Sequence, residues 1–186
     1  PTRYSRPGRA LAGWIDWMLN DFPQVSLVNM LQDGLLEVPD DLGNIPHTAL
    51  ASVLRGVVIS RGRDRYIPKL SEIVAEKEDK EPSRADVPGI AEIRALLRLV
   101  EDLLEISPTV GSSQVEILTA AERFLANVAR TANQLDNYSA QALIARIRET
   151  SQWLEDDADS SSIDPYDWLA ALPGEVKVGG SGPRPG

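Results

Sequence analysis

Apolar positions recur at helical spacing along most of this chain. Ala10, Leu11, Trp14, Ile15 and Met18 form one stripe and predict a first helix over about Pro7 to Asn20. Phe22-Pro23 restarts the chain, with Pro23 suited to the first turn of a second helix that carries Val25, Leu27, Val28, Met30 and Leu31 and closes at Gly34. The two read as a helical hairpin. Leu35 to Val38 is a short apolar run compatible with a strand or a single helical turn. Pro46 opens a third helix with Leu50, Val53 and Leu54, which Gly56 ends or interrupts, and Val57-Val58-Ile59 extends the apolar stretch. A fourth helix runs from about Pro68 to Lys80, with Leu70, Ile73 and Val74 inward.

Glu76 to Val87 is almost devoid of apolar residues and reads as a solvated helix end running into a linker. The pattern then resumes over Ile90 to Ile106, a strongly amphipathic helix stopped by Ser107-Pro108. Ser112 or Ser113 caps the next, with Val115, Leu118, Phe124, Leu125 and Val128. Ser139 is expected to cap another, carrying Leu143, Ile144, Ile147, Trp153 and Leu154. After the polar break at residues 157–162, Asp164 caps a short helix with Pro165 at its first position, Trp168, Leu169 and Leu172 inward, and Pro173-Gly174 at its end. Glu175 to Val178 alternates and suggests one short strand near the C-terminus, which needs a partner from elsewhere. The sum is an all-α, irregular bundle of about seven helices. Its organisation reads as an N-terminal helical subregion with a basic segment (1–75), a charged linker (76–88), an acidic helical subregion (89–174), and a strand with a connector to a missing domain (175–186).

The 186 residues suit a single domain with a core of its own. No Cys and a single His, His47, remove disulfides, thiolate zinc sites, iron–sulfur clusters and cysteine nucleophiles, and leave almost no material for a Ser-His-Asp triad. His47 follows Pro46 at a helix start, where a capping or surface role is expected. The phosphate-cradling GxxxxGK(S/T), a GxGxxG after a strand, HExxH and GxSxG are all missing. Asp156, Asp157 and Asp159 lack the Gly and distal Glu of a calcium loop, and Glu101-Asp102 and Asp40-Asp41 are weaker candidates still, so no metal site, catalytic residue or cofactor is expected in this chain. No uncharged apolar window reaches membrane-spanning length, and the basic start is not followed by a signal-type core. A soluble, cytoplasmic chain without membrane partners is expected. The start at Pro1 and the Gly179 to Gly186 tail suggest a piece of a larger protein.

Trp14, Trp153 and Trp168 are expected in the core. Trp17 is read as lying off the stripe of Trp14 and Met18, a candidate packing surface for another domain.

The net charge of −9 makes broad electrostatic attraction to nucleic acid or acidic lipid implausible, so any such contact has to be local. Charge is unevenly spread: residues 1–69 hold 8 basic and 7 acidic side chains, residues 70–186 hold 11 and 21. Arg55, Arg61, Arg63, Arg65 and Lys69 accompany only Asp64, and Arg3, Arg6 and Arg9 surround the start of the first helix. Cations there oppose the helix dipole, so they serve something beyond that helix. Phosphate contact is one use, since guanidinium offers a fixed fork of donors; ion pairing with the acidic second half is the other.

The ordered landmarks Ser5-Arg-Pro-Gly-Arg-Ala-Leu-Ala-Gly-Trp-Ile-Asp-Trp-Met-Leu-Asn-Asp-Phe-Pro23, Gly34-Leu-Leu, Arg61-Gly-Arg-Asp-Arg-Tyr66, Asp164-Pro-Tyr-Asp-Trp-Leu and Gly180-Ser-Gly-Pro-Arg-Pro-Gly186 resemble the central helical (2B-like) region of bacterial AddAB-type helicase-nuclease subunits. Those subunits join a degenerate superfamily 1 helicase to a RecB-like PD-(D/E)XK nuclease. The resemblance implies a helical insertion within the second RecA-like domain, in a parent acting on double-strand breaks or recombination intermediates, with ATP and Mg2+ bound by other segments. It implies scaffolding, DNA guidance and contact with the parent's other domains and a helicase partner. The other reading is a helical protein-interaction or regulatory adaptor with no nucleic-acid role.

Overall fold

The computed structural model describes residues 1–38, 45–79, 89–156 and 163–178. Eight α-helices run through them: α1 (Arg6–Leu19), α2 (Gln24–Gln32), α3 (His47–Gly56), α4 (Tyr66–Glu78), α5 (Ile90–Ile106), α6 (Gln114–Asn127), α7 (Gln134–Asp156) and α8 (Pro165–Glu175). The fold is all-α, and no strand occurs among the described residues.

Local devices close several of the helix ends. Ser5 caps α1, its Oγ accepting from the Gly8 amide, and the 3-10 turn Thr2–Tyr4 lies so close that a Cβ on Gly8 would stand 2.1 Å from the Thr2 carbonyl oxygen. α2 ends in a Schellman motif: Gly34 (φ 60°) donates to the Leu31 carbonyl and Leu35 to the Met30 carbonyl, both at 3.0 Å. Ser113 and Glu116 form a reciprocal capping box on α6. Asp164 accepts from the amides of Tyr166 and Asp167 at the start of α8.

One continuous core joins residues from both sides of the charged stretch at 76–88. α1 packs against α2, α6, α7 and α8, α2 against α3, α4 and α3 against α5, and α6 against α7. Trp14 stacks on Phe124 of α6 with ring centroids 4.6 Å apart, and its indole N–H donates to Ser107 Oγ at 3.0 Å. The Ser107 hydroxyl passes its own proton to the Leu103 carbonyl at 2.7 Å. Between α2 and α3, the run Leu35–Val38 is neither strand nor helical turn. Leu36 makes an isolated antiparallel bridge with Ala129, and His47 Nε2 lies 2.8 Å from the Leu36 carbonyl oxygen.

Asp136 ties α1 to α7. Its carboxylate, 4% exposed, accepts from the Arg6 amide (3.0 Å), the Arg6 guanidinium (3.0 Å) and the Ala132 amide (3.2 Å). Burial alone pushes this carboxyl up, but the two amides and the guanidinium outweigh it and hold it below the ordinary 3.8. Just before the same end of α1, the Thr2 amide donates to the Val176 carbonyl (2.9 Å) and the Thr2 hydroxyl to the Pro173 carbonyl (3.1 Å).

Several expectations are corrected. Glu175 to Val178 is not a strand: α8 continues through Pro173 and Gly174 to Glu175, and Val176 receives the Thr2 bond in place of a neighbouring strand. Pro173 is tolerated because only the Leu169 carbonyl loses its helical donor, one turn from the end. Ser139 does not begin α7, which starts at Gln134; Asn133 Oδ1 accepts from the Asp136 amide, and Ser139 is buried in the second turn. Trp17 is not at a surface but fully buried, because Ala10, Trp14 and Trp17 follow i, i+4, i+7 spacing and share a face. Trp153 is 48% exposed, since Leu154 rather than Trp153 continues the inward row of Leu143 and Ile147. Trp168 packs partly buried against the core. Glu76 to Glu78 belong to α4, while the expectations for residues 80–88, for Asp40-Asp41, for Asp157 and Asp159, and for the tail 179–186 fall outside the described residues.

Asp136→Asn is expected to lower the unfolding free energy by about 2 kcal/mol at pH 7, as removal of a charged acceptor shared by three donors does. Because the folded carboxyl lies below its unfolded value, its stabilisation is present in full above pH 3.8 and disappears as pH falls through the folded value. Urea denaturation at a series of pH values should therefore show a steeper acid loss for the wild type than for D136N.

Candidate nucleic-acid interface

The basic segment leaves α3 at Gly56 and re-enters helix at Tyr66. Between them, Val57 and Ile59 are buried and Val58 points outward, 86% exposed. Gln24, the first residue of α2, holds this loop. Its amide nitrogen donates to the carbonyls of Leu54 and Val57, its amide oxygen accepts from Ile59 (3.4 Å) and Ser60 (3.3 Å), and its own backbone N–H donates to the Ser60 carbonyl (2.9 Å). A single side chain thus satisfies backbone groups on both sides of Val58.

The non-glycine residues with positive φ all lie here: Asp21 (62°), Phe22 (54°) and Ser60 (65°), among the described residues. They are interlocked. Gly62 donates to the Asp21 carbonyl at 2.8 Å and the Tyr66 hydroxyl to the Phe22 carbonyl at 2.9 Å. Tyr66 in turn accepts the Trp17 indole N–H at 3.3 Å, and Trp17 meets the rings of Phe22 and Tyr66 edge-on, at 4.8 and 5.6 Å. Burial pushes the Tyr66 phenol up to about 12, against the lowering effect of the Trp17 bond.

The eight candidate cations separate into two groups. Arg63 is a structural residue: its guanidinium donates to the carbonyls of Leu104, Ser107 (3.0 Å) and Pro108 (2.9 Å), where the end of α5 leaves acceptors open, and its Cζ lies 5.6 Å from the Phe22 ring centre. Arg6 is held by Asp136, Arg9 by Asp33, and Lys69 by Glu72 at 2.6 Å, which keeps the Lys69 ammonium above its ordinary pKa. Arg3 lies on its neighbour Tyr4, 4.7 Å from the ring centre. Arg55, Arg61 and Arg65 are exposed and have no ion pair or side-chain hydrogen bond among the described residues. The N-terminal arginines and the loop arginines therefore do not form one patch of free charge.

Arg3 and Arg9 instead border a separate groove of about 600 Å³ between α1, α2 and α8, floored by Gly8, Gly13 and Met30. Asp16 and Asp33 line the same groove, so it carries mixed charge. Among the described residues no three His, Asp or Glu side chains stand together as metal ligands, and Asp102 faces Arg98 at 3.4 Å. No helix among them is long and apolar enough to cross a membrane.

The importance of Gln24 is invisible in the sequence, where it is one polar residue after Pro23; its partners are 30 to 36 positions away. Tyr66 carries a weak signal, as the aromatic residue that closes the Arg-Gly-Arg-Asp-Arg run. No family model, curated protein or solved structure matches the chain.

The division among the arginines is testable by stability. Arg63→Ala and Gln24→Ala should each cost about 2 to 3 kcal/mol because they orphan several backbone groups, whereas Arg61→Ala and Arg65→Ala should stay within about 0.5 kcal/mol. Hydrogen exchange at the Ile59 and Ser60 amides should accelerate in Gln24→Ala and remain at the wild-type rate in Arg65→Ala.

Proposed function

We propose that this chain is a noncatalytic helical part of a helicase-nuclease-like protein of double-strand-break repair or recombination, and that it touches DNA phosphate through Arg55, Arg61 and Arg65. The observation that carries the DNA contact is that these three exposed guanidinium groups have no ion pair or side-chain hydrogen bond among the described residues, beside a loop whose backbone is tied down. A cation already paired gains little from phosphate, because it must exchange one anion for another; an unpaired one releases counterions from the nucleic acid at no such cost. The parent assignment rests on the resemblance of the sequence landmarks. ATP, Mg2+ and the chemistry of cleavage belong, on this reading, to other segments of the parent and to its helicase partner. Arg6, Arg9 and Arg63 drop out as primary phosphate ligands, since each already serves another element of this chain, and Lys69 is paired with Glu72 within α4.

A second reading, a helical protein-interaction adaptor, is favoured by the outer side of α7, where Leu135, Tyr138 and Trp153 are exposed. Salt separates the two. Fluorescence anisotropy with a labelled DNA duplex should show binding at low ionic strength that weakens with a log–log slope of about −2 to −3, as three phosphate contacts require. The Arg55/Arg61/Arg65→Ala variant should lose that binding while keeping the wild-type melting temperature. Absence of binding at low salt would overturn the DNA reading and leave the adaptor.

A further inference from the structure

We infer that the loop at residues 57–61 recognises DNA at an exposed base face, such as a duplex end, a fork or an unpaired strand, with Val58 placed against the base and the flanking arginines on phosphate. This rests on the DNA reading of the same corner and goes beyond it, because it names which form of DNA the corner prefers.

The argument starts from Val58. An isolated exposed valine on a mobile loop means little, but this one is held out by its neighbours. Val57 and Ile59 are buried on either side, Gln24 bonds the backbone before and after it, and Ser60 takes a φ of 65° to complete the turn. The side chain cannot fold back without breaking those bonds.

Arg55 precedes Val58 by three residues and Arg61 follows it by three, and neither has a partner among the described residues. An exposed valine flanked in the chain by two exposed arginines without partners among the described residues matches a ligand that joins an apolar face to anionic groups. Nucleic acid has that form only where a base face is uncovered, because in continuous duplex every base face is stacked on the next. The local charge points the same way. Asp21 and Asp64 are exposed within the same corner, which leaves three unpaired arginines against two carboxylates. Such a surface holds uninterrupted backbone only through a few phosphates, and it is suited to a short contact at one place.

The test compares two labelled DNAs at low salt: a covalently closed duplex minicircle, which has no end, and a linear duplex containing the same base-paired sequence that finishes in a fork with unpaired arms. Wild type should bind the fork about 5-fold more tightly than the minicircle, the size expected for covering roughly half of one valine side chain. Val58→Ser should bring that ratio to about 1 while leaving minicircle affinity and salt slope unchanged, because the substituted side chain is outside the core. Arg55/Arg61→Ala should weaken both DNAs alike. Equal binding of fork and minicircle by the wild type, or an undiminished ratio in Val58→Ser, overturns the base-face inference while the phosphate reading survives. Loss of all DNA binding at low salt overturns both, and saturable binding of an acidic, leucine-containing peptide in its place would assign the corner to a protein partner.

Discussion

Two indole N–H groups on one face of α1 have to find acceptors inside the core, and much of the architecture follows from how they do so. Trp14 reaches the Ser107 hydroxyl, which hands its proton to the Leu103 carbonyl; Trp17 reaches the Tyr66 hydroxyl, which hands its proton to the Phe22 carbonyl. In each case a buried donor is satisfied by a hydroxyl relay ending on backbone, and an indole left without such a relay would cost 1 to 3 kcal/mol at about the level of a lost core contact. The end of α5 and the start of α4 are thereby fixed against α1. Because the second relay ends on Phe22, a residue of positive φ, it also holds the turn on which the arginine loop leans.

The basic segment shows how one run of like charges divides its labour. Arg63 turns inward to a helix end whose carbonyls lack donors, and its neighbours Arg61 and Arg65 stay in solvent. Nothing about residue type separates them. The difference lies in what each side chain faces: a ring of partial negative charge at the terminus of α5 for one, water for the others. Exposed pairs such as Arg148 with Glu122 contribute little by comparison, and the net acidity of the second half is largely a matter of its solvated surface.

Local signals in the sequence carried most of the helices. The stripes of α1 and α5, the Ser113 and Asp164 caps and the Gly34 stop are contained within a turn or two of chain, so spacing and residue type suffice to find them. The errors have a common physical origin in contacts between distant segments. Trp17 was assigned to a surface by comparison with Met18, although its relation to Ala10 places it inward, and only the fold shows Phe22 and Tyr66 closing over it. Pro173 reads as terminal, yet the helix continues to Glu175, and the Pro173 carbonyl is met by Thr2, 171 positions away. The arginines were legible as a cluster but not as a partition, because Asp136 and the end of α5 lie far from them in sequence. Gln24 had no local signature at all.

The bonds from Thr2 to Pro173 and Val176 bring the two extremes of the described chain to one point. Each extreme therefore holds the other closed: loss of the Thr2 turn leaves the Pro173 and Val176 carbonyls without these donors, and fraying at the end of α8 orphans the buried Thr2 hydroxyl, so the two open as one cooperative unit.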